Sequence, residues 1–251
     1  MKFLRNIIIS LVAILPVLTS CKQDDTLQYN NMTMGNISDG TFVSDLGNIF
    51  NVVEKNCTGD LTSMKRAILL CDILKKVDGT ENEYDIRLNR MAEVLVKNPI
   101  TMSDAEADAE TRVADPIYID QVWISGGYIN MFLIYEFRNG STQKHLVNLV
   151  LDESDSNSGK YSFTLRHNSY GESMIHDAAG TTLSGAYVSF PITGIIKGNT
   201  ADISIECEWY KSAGQGWISE TQTYSYNLTY TKGGFEQAPV KMSNRINTLF
   251  N

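Results

Sequence analysis

The chain has 251 residues, of which 43% are hydrophobic and 20% charged, and its formal net charge is −8. This apolar fraction is enough for a packed core and excludes a wholly disordered chain. The excess of acidic residues argues against nucleic acid as a partner, because phosphate binding needs a basic surface. The four cysteines are too few for a scaffold held together mainly by disulfides.

The N-terminal segment predicts an exported, lipid-anchored protein. Lys2 and Arg5 precede an apolar run over residues 7–18, which is too short to span a bilayer but typical of a signal peptide. The run ends in Leu-Thr-Ser-Cys at residues 18–21, which resembles a bacterial lipobox. The pattern predicts cleavage just before Cys21 and acylation of its thiol, which would make the lipid bilayer the first partner. The alternative is an ordinary signal peptide with a cysteine near its cleavage site.

The residues behind the anchor indicate where the protein resides. Removing the predicted signal peptide, residues 1–20, takes away two basic and no acidic residues, so the net charge changes from −8 to −10. Asp24 and Asp25 follow the anchor closely and resemble the export signal of some Gram-negative surface lipoproteins. We therefore expect an outer-membrane lipoprotein that faces the cell exterior. The alternatives are a plain solvated tether and a position on the periplasmic face.

The patterning of the chain predicts a mainly β protein with two units. Residues 21–40 are polar and read as a lipidated tether, and residues 41–98 read as a small OB-like barrel. Within the barrel, residues 68–74 are apolar on both faces, as expected of a strand in a small closed barrel. Residues 91–97 are also compatible with one or two helical turns. The predicted barrel strands are residues 41–53, 66–77 and 84–96.

A proline-bracketed segment separates the two predicted units. Residues 99–116 carry five acidic residues and one arginine, which favours a linker over an acidic recognition loop. Residues 117–251 then contain short apolar-polar alternations divided by turn signals such as Asn139-Gly140, which predicts an antiparallel β-sandwich. The predicted strands of this unit are residues 117–124, 128–137, 144–151, 160–166, 186–196, 201–210 and 220–231.

Two short segments of the second unit resemble a known family. Residues 124–130 (ISGGYIN) and 165–172 (LRHNSYGE) are similar to recurrent segments of the NigD-like lipoproteins. This resemblance implies a lipid anchor, an N-terminal OB-type barrel and a C-terminal β-sandwich. The family is named after a bacteriocin gene cluster, so the resemblance also implies a role in immunity. It implies no catalytic residues, because none are established for the family.

The search for catalytic and metal motifs predicts a non-enzymatic protein without a cofactor. The sequence contains no G-x-S-x-G elbow, H-E-x-x-H motif or P-loop. One interpretation places His167 and His176 around a metal with Glu172 or Asp177. The favoured one is that His167 and Asn168 hydrogen-bond backbone at a strand end, so no metal site is predicted. Likewise, residues 153–159 only partly match a calcium loop and are expected to be a plain hairpin loop.

The remaining candidates are cysteines and one tryptophan. Cys57 and Cys71 either form a disulfide within the first unit or remain separate thiols, whereas Cys207 alternates with Trp209 and is expected to be buried. Trp217 follows Gly-Gln-Gly and is a candidate contact for a saccharide or protein ligand, with His167 as a second candidate. The sequence therefore predicts a binding module with an unidentified protein or saccharide partner. Bacteriocin immunity and glycan binding are the alternatives.

Overall fold

The computed structural model describes residues 27–28, 32–154, 159–173, 180–213 and 216–234, with side chains for all of them except 27–28, 212–213 and 216–219. The signal peptide, Cys21 and the acidic pair behind it lie outside these residues. The described chain is mostly β, as predicted. None of its helices has the length and apolar character that a bilayer crossing requires.

The first unit is a closed barrel with the strand connectivity of an OB fold. Its strands are β1 (Leu27–Gln28), β2 (Thr33–Ser38), β3 (Thr41–Ser44), β4 (Ile49–Lys55), β5 (Arg66–Lys76) and β6 (Glu83–Glu93). β2 pairs with β3, β3 with β4, β4 in parallel with β6, β6 with β5, and β5 again with β2. These five pairings close the barrel, and β1 adds to the outer side of β5. The predicted OB-like barrel is therefore confirmed.

The barrel interior explains the doubly apolar run of β5. Leu69, Cys71 and Ile73 point into the barrel core, where the Phe42 and Phe50 rings stack with centroids 5.9 Å apart. Ile68, on the opposite face of the strand, belongs to a different apolar cluster outside the barrel. The first residues of β5 are thus buried on both faces, because this part of the strand forms the barrel wall and also contacts the sandwich.

The second unit is a sandwich of two sheets. Its elements are β7 (Leu95–Val96), β8 (Ile100–Thr101), α1 (Met102–Ala107), β9 (Tyr118–Ser125), β10 (Tyr128–Arg138), β11 (Leu146–Asp152), β12 (Lys160–Asn168), β13 (Thr181–Pro191), β14 (Thr200–Ala213) and β15 (Gly216–Thr231). One sheet has the order β7-β13-β10-β9 and the other β15-β14-β12-β11-β8. The long hairpins are antiparallel. Three pairs are parallel: β8 with β11, β7 with β13, and β12 with β14. Alternate side chains of both sheets form one shared core.

The barrel docks on the outer face of the four-stranded sheet. Met34, Ile68 and Val94 of the barrel side pack with Trp123, Phe132 and Tyr187 of the sheet in one buried cluster. The Phe132 and Tyr187 rings lie 4.7 Å apart between their centroids. The sheet is therefore apolar on both faces, and the two units share a buried interface.

The N-terminal boundary of the barrel differs from the prediction. Residues 33–38, assigned to the tether, form β2, and the single strand predicted over residues 41–53 is a hairpin of β3 and β4. The hairpin turns at Gly47, whose φ of +83° favours glycine. The polar sequence of β2 did not indicate a strand. The strand forms because the backbone of these residues pairs with β3 on one side and with β5 on the other.

The predicted linker belongs to the sandwich. β8 pairs with β11, and α1 begins at Thr101, whose hydroxyl accepts a hydrogen bond from the Asp104 amide at 3.1 Å. The chain passes from barrel to sandwich near Val94, because β7 already pairs with β13. The acidic side chains suggested a solvated linker, and residues 106–110 are indeed exposed, but Ala105 is fully buried against the sandwich side of the segment.

Candidate functional site

His167, a predicted ligand contact, lies in the sandwich interior. Its side chain is completely buried, and its Nε2 lies 2.9 Å from Nδ1 of His145, which is also buried. Nε2 of His145 lies 3.3 Å from Oε2 of Glu172. We call His145, His167 and Glu172 the histidine cluster. His176 and Asp177, the other predicted metal partners, lie outside the described residues, within which no group of side chains is arranged to hold a metal ion.

The hydrogen-bond partners define the protons of the histidine cluster. The Pro116 carbonyl, 3.1 Å from Nδ1 of His167, can only accept a hydrogen bond, so this nitrogen carries a proton. In a neutral ring, Nε2 of His167 then accepts a hydrogen bond from the Nδ1–H group of His145. A hydrogen bond between His145 and Glu172 requires one further proton on that pair. The three side chains thus form a continuous hydrogen-bonded chain inside the sandwich.

Burial sets the pKa values of the histidine cluster. Burial first, and then the neighbouring His145, lowers the pKa of His167 to about 4. Burial also lowers the pKa of His145, although Glu172 opposes that effect. For Glu172, burial raises the pKa, but hydrogen bonds from Ser141 and His145 outweigh it and the net pKa is lowered. His167 therefore stays neutral near pH 7.

The second recurrent segment holds the end of the predicted linker. The Asp115 amide donates to the His167 carbonyl at 2.8 Å, and the Ser169 hydroxyl donates to the Asp115 carboxylate at 2.5 Å. The Asn168 side chain donates to the Glu110 carbonyl at 3.1 Å. The prediction that His167 and Asn168 hydrogen-bond backbone at a strand end is confirmed, since β12 ends at Asn168.

The first recurrent segment meets a buried arginine of the barrel. Arg66, which has no exposed surface, places two nitrogens 2.8 and 2.6 Å from the two carboxylate oxygens of Asp45. It also donates to Asn36 at 2.9 Å, to Asn130 at 3.0 Å and to Ser189 at 3.0 Å. All five N–H donors of the guanidinium are therefore used. We call these five residues the arginine cluster; it joins barrel residues to β10 and β13 of the sandwich.

Other residues of the first recurrent segment complete this joint. The Tyr128 ring covers the Arg66 guanidinium at 4.2 Å, a cation–π geometry, and the Ser125 hydroxyl donates to Asp45 at 2.5 Å. Gly126 has a φ of +60°, and a Cβ at this position would overlap the Asp45 carboxylate. The double glycine of the segment is thus required where the sandwich approaches the barrel carboxylate.

A cavity of about 320 Å³ with a mixed polar and apolar lining opens beside the arginine cluster, at the junction of the two units. Gly126 and Gly127 form one side of it, Asp45 contributes a carboxylate, and Lys197 and Lys232 contribute two cations. The arrangement provides a small niche of mixed charge. It does not bring a nucleophile and a base together among the residues that line it.

The barrel exposes apolar side chains on its β3–β4 hairpin. Val43, Leu46 and Val53 are 37%, 49% and 54% exposed, and they are three of the five large hydrophobic residues classed as exposed in the described chain. Val53 is turned outward by a β-bulge, because Val52 pairs with Ile86 while the next paired residue is Glu54. We call Val43, Leu46 and Val53 the hairpin patch. In OB folds, this region of the barrel carries ligands.

The cysteine and tryptophan predictions have different outcomes. Cys57, Cys71 and Cys207 are all free thiols, so the Cys57–Cys71 disulfide is not formed and the alternative of separate thiols applies. Cys71 is a core residue of the barrel, whereas Cys57 is half-buried at the edge of that core. Cys207 is buried, as expected. Trp217 pairs with Ser212 in the β14–β15 hairpin, but its side chain is outside the described set.

The residues that the sequence reasoning missed are Arg66, Asp45 and Ser189. An arginine that directly precedes the apolar run of β5 was the available signal, since a charge at the border of a buried strand needs a partner. Its partners are 21 to 123 residues away along the chain, so no local pattern could identify them.

Comparisons with known proteins agree with this architecture. Residues 98–226, just over half of the chain, match the family described as the NigD-like C-terminal beta sandwich domain. No curated protein sequence matches the chain.

Several solved structures share the fold at low sequence identity. A protein of unknown function from Bacteroides vulgatus has 19% identity and a TM-score of 0.57, covering 87% of this chain and 97% of its own. A NigD-like immunity protein from Bacteroides caccae has 15% identity and a TM-score of 0.56, with coverages of 80% and 95%. A lipoprotein candidate from Bacteroides fragilis has 16% identity and a TM-score of 0.56, with coverages of 80% and 98%. Because the family match over residues 98–226 covers more than half of the chain, this chain belongs to the NigD-like family.

Proposed function

We propose that this chain is a non-enzymatic lipoprotein that is anchored through Cys21 and binds a protein partner outside the cell. The observation that carries the proposal is the hairpin patch, where a bulge turns an apolar side chain toward solvent on the ligand-bearing region of an OB barrel. An apolar surface of this kind favours a protein partner. The acidic character of the chain disfavours nucleic acid.

The two recurrent segments support a framework role instead of a catalytic one. Their polar side chains are occupied in the arginine cluster and in the histidine cluster, both of which are buried. His167 is neutral and enclosed, so it has no access to a substrate in this conformation. The first recurrent segment therefore holds the barrel on the sandwich, the second stabilises the sandwich itself, and the hairpin patch is presented on this support.

Binding is tested by crosslinking on intact cells that express the full chain. We expect Leu46→Asp and Val53→Asp each to abolish a specific crosslinked product, because a buried charge in an apolar interface is unfavourable. Leu183→Asp is the matched control, since Leu183 is 42% exposed but lies on β13 of the sandwich. Equal loss with all three variants, or retention with all three, would contradict a binding role of the hairpin patch.

The proposed anchor rests on the Leu-Thr-Ser-Cys pattern and on the lipoprotein candidate among the similar structures. We expect the wild-type chain to incorporate a labelled fatty acid and to partition into detergent, and Cys21→Ala to do neither. Protease added to intact cells should digest the protein if it faces the exterior. Protection until the outer membrane is opened would place it on the periplasmic face instead.

Bacteriocin immunity is the second candidate function. The favouring observation is the similarity in fold to a protein named as a NigD-like immunity protein. Deleting the gene should then raise sensitivity to toxins of neighbouring strains, and reintroducing the wild-type chain should restore resistance. Unchanged sensitivity across such strains would remove this candidate. Glycan binding depends on Trp217 and stays a prediction, which a glycan array with Trp217→Ala as its control would test.

A further inference from the structure

The five-stranded sheet ends in an unusually long edge strand. β15 spans 16 residues and pairs with β14 on one side, and no other strand of the described chain pairs with its second side. Beyond the irregularity near Tyr210, its register with β14 is unbroken from Thr221 to Thr231. These eleven residues contain no charge, no proline and no glycine. A row of free N–H and C=O groups in such a segment is a template for another strand.

The other sheet edges of the described chain are shorter or interrupted. β1, β7 and β8 have two residues each. β7 and β8 cover only part of β13 and β11, which leaves shorter unpaired stretches at residues 181–187, where Gly185 lies, and at residues 146–149. β9, the remaining edge, has eight residues, is interrupted by a bulge against β10 and carries the exposed Asp120. Among the described edges, β15 has the longest unpaired stretch in unbroken register, the eleven residues 221–231.

β15 is also held firmly in place. The Tyr226 hydroxyl donates to the Ile119 carbonyl at 2.7 Å, and the Tyr224 hydroxyl donates to the Tyr210 carbonyl at 3.2 Å. Tyr230 is buried in the sandwich core. Its inner side chains thus fix the strand to the sandwich, while its outer polar side chains, such as Ser225 and Asn227, remain exposed. A preformed edge loses little conformational entropy when a partner strand adds to it.

We propose that β15 pairs with β15 of a second copy of this chain, antiparallel about a two-fold axis at Tyr226, to form a continuous ten-stranded sheet. The charged residues at the two ends of the unpaired segment, residues 221–231, favour this register over others. Glu220 and Lys232 are each six residues from Tyr226, Glu220 just before the regular register and Lys232 just after the last residue of β15. In the proposed dimer, each therefore lies at the end of the paired segment where the other copy brings the opposite charge. Both side chains are exposed, although Glu220 also contacts Lys211 of its own chain at 2.8 Å.

The register is consistent with the faces of the sheet. In this arrangement the numbers of two paired residues always differ by an even amount. A side chain that points inward therefore lies opposite another inward side chain, and an outward one opposite another outward side chain. The outer pairs join Ser225 with Asn227 and Thr223 with Thr229, which are small polar partners suited to cross-strand contact. Moving the register by two residues in either direction separates Glu220 from Lys232. The segment is thus complementary to itself in one register.

The first test is the association state of the full-length chain in detergent, measured by sedimentation. We expect a monomer–dimer equilibrium in which Glu220→Lys or Lys232→Glu alone weakens the dimer about tenfold, because each change sets like charges opposite in two symmetric places. The double variant Glu220→Lys/Lys232→Glu should restore wild-type association. Glu206→Lys, on the neighbouring strand β14, is the control and should leave association unchanged.

The second test measures the register directly. Chains with Ser225→Cys and chains with Asn227→Cys, mixed under mild oxidation, should form a mixed disulfide, because opposite residues lie within disulfide reach. A mixture of Thr223→Cys and Asn227→Cys chains should not, since these residues are offset diagonally. The wild-type chain measures the background from its own thiols. A monomer at every concentration, failure of the double charge swap to restore the dimer, or equal crosslinking in both mixtures would overturn the proposal.

Discussion

The arginine cluster and the histidine cluster both join parts of this protein that are distant in sequence, but they do so with different electrostatics. Arg66 and Asp45 are a fully charged pair with every guanidinium donor satisfied, and they connect the barrel to the sandwich. His145 and His167 are buried imidazoles inside the sandwich, and one of them contacts the end of the acidic segment through Pro116. One cluster is built on a bidentate ion pair, whereas the other is built on buried imidazoles whose pKa values are lowered by burial.

This difference indicates how the two joints respond to the environment. The arginine cluster joins the barrel to β10 and β13 of the sandwich through five hydrogen bonds of one guanidinium. The histidine cluster makes the far end of the sandwich sensitive to acid, because its neutral state is the one that fits. We therefore expect mutations to affect the arginine cluster most strongly and acid to affect the histidine cluster most strongly.

The largest expected effect is the removal of Arg66. Arg66→Met should lower the free energy of unfolding by about 3–5 kcal/mol, because it leaves the Asp45 carboxylate buried without its cation. Urea unfolding measures the change, with the exposed neighbour Lys65→Met as the control. Adding Asp45→Asn should recover part of the loss. If Arg66→Met alone were as stable as wild type, the arginine cluster would not be the joint between the units.

Acidification should destabilise the protein through the histidine cluster. His167 has a pKa of about 4 in the folded chain and about 6.5 when unfolded, so below pH 6.5 the unfolded state binds a proton that the folded state does not. Stability should therefore be constant with respect to this group above pH 6.5 and fall by about 3 kcal/mol toward pH 4. Urea unfolding at several pH values measures this slope.

His167→Gln separates the contribution of His167 to this pH dependence from that of the carboxylates, which still titrate in the variant. We expect its stability to fall less steeply between pH 6.5 and pH 4 than that of wild type. Thr142→Ala, at an exposed loop position, should retain the wild-type slope, because it neither adds nor removes an ionisable group. An identical slope in wild type and His167→Gln would refute the assignment.

Gly126→Ala should destabilise the joint by a smaller amount. Both Gly126 and Gly140 have positive φ, at +60° and +77°, so either substitution costs about 1 kcal/mol of backbone strain. Only at Gly126 does the added Cβ meet Asp45, because Gly140 has no neighbouring atom within 4 Å. We expect Gly126→Ala to cost about 1–3 kcal/mol more than Gly140→Ala in thermal or urea unfolding. Equal costs would mean that Asp45 moves away freely.

The smallest effect is expected where the acidic segment is tied to the sandwich. Ser169→Ala removes the hydroxyl that donates to Asp115 but keeps the Ser169 amide bond to the same carboxylate at 2.8 Å. The loss should be about 1 kcal/mol in urea unfolding. Thr142→Ala, at an exposed loop position, serves as the control and should change stability by less than that. No difference between the two variants would show that the amide bond alone holds the segment.

Sequence patterns identified some residues of each cluster but not their partners. The recurrent segments around Tyr128 and Asn168 were visible as short motifs, and the backbone role of His167 followed from its place at a strand end. The partners of these motifs were not visible. Arg66 reaches Ser189 across 123 residues, and the hairpin patch depends on a bulge that moves Val53 out of register.

The sequence by itself determined the features that arise from local patterning: the mainly β class, the barrel before the sandwich, most strands of both units and the burial of Cys207. Alternation and turn residues encode these within about ten residues. Tertiary structure alone decided that residues 33–38 are a strand, that the acidic segment belongs to the sandwich and that the cysteines of the barrel are free thiols. Each of these depends on which distant surface a segment meets, because buried polar groups and backbone edges are satisfied by partners that the chain supplies from elsewhere.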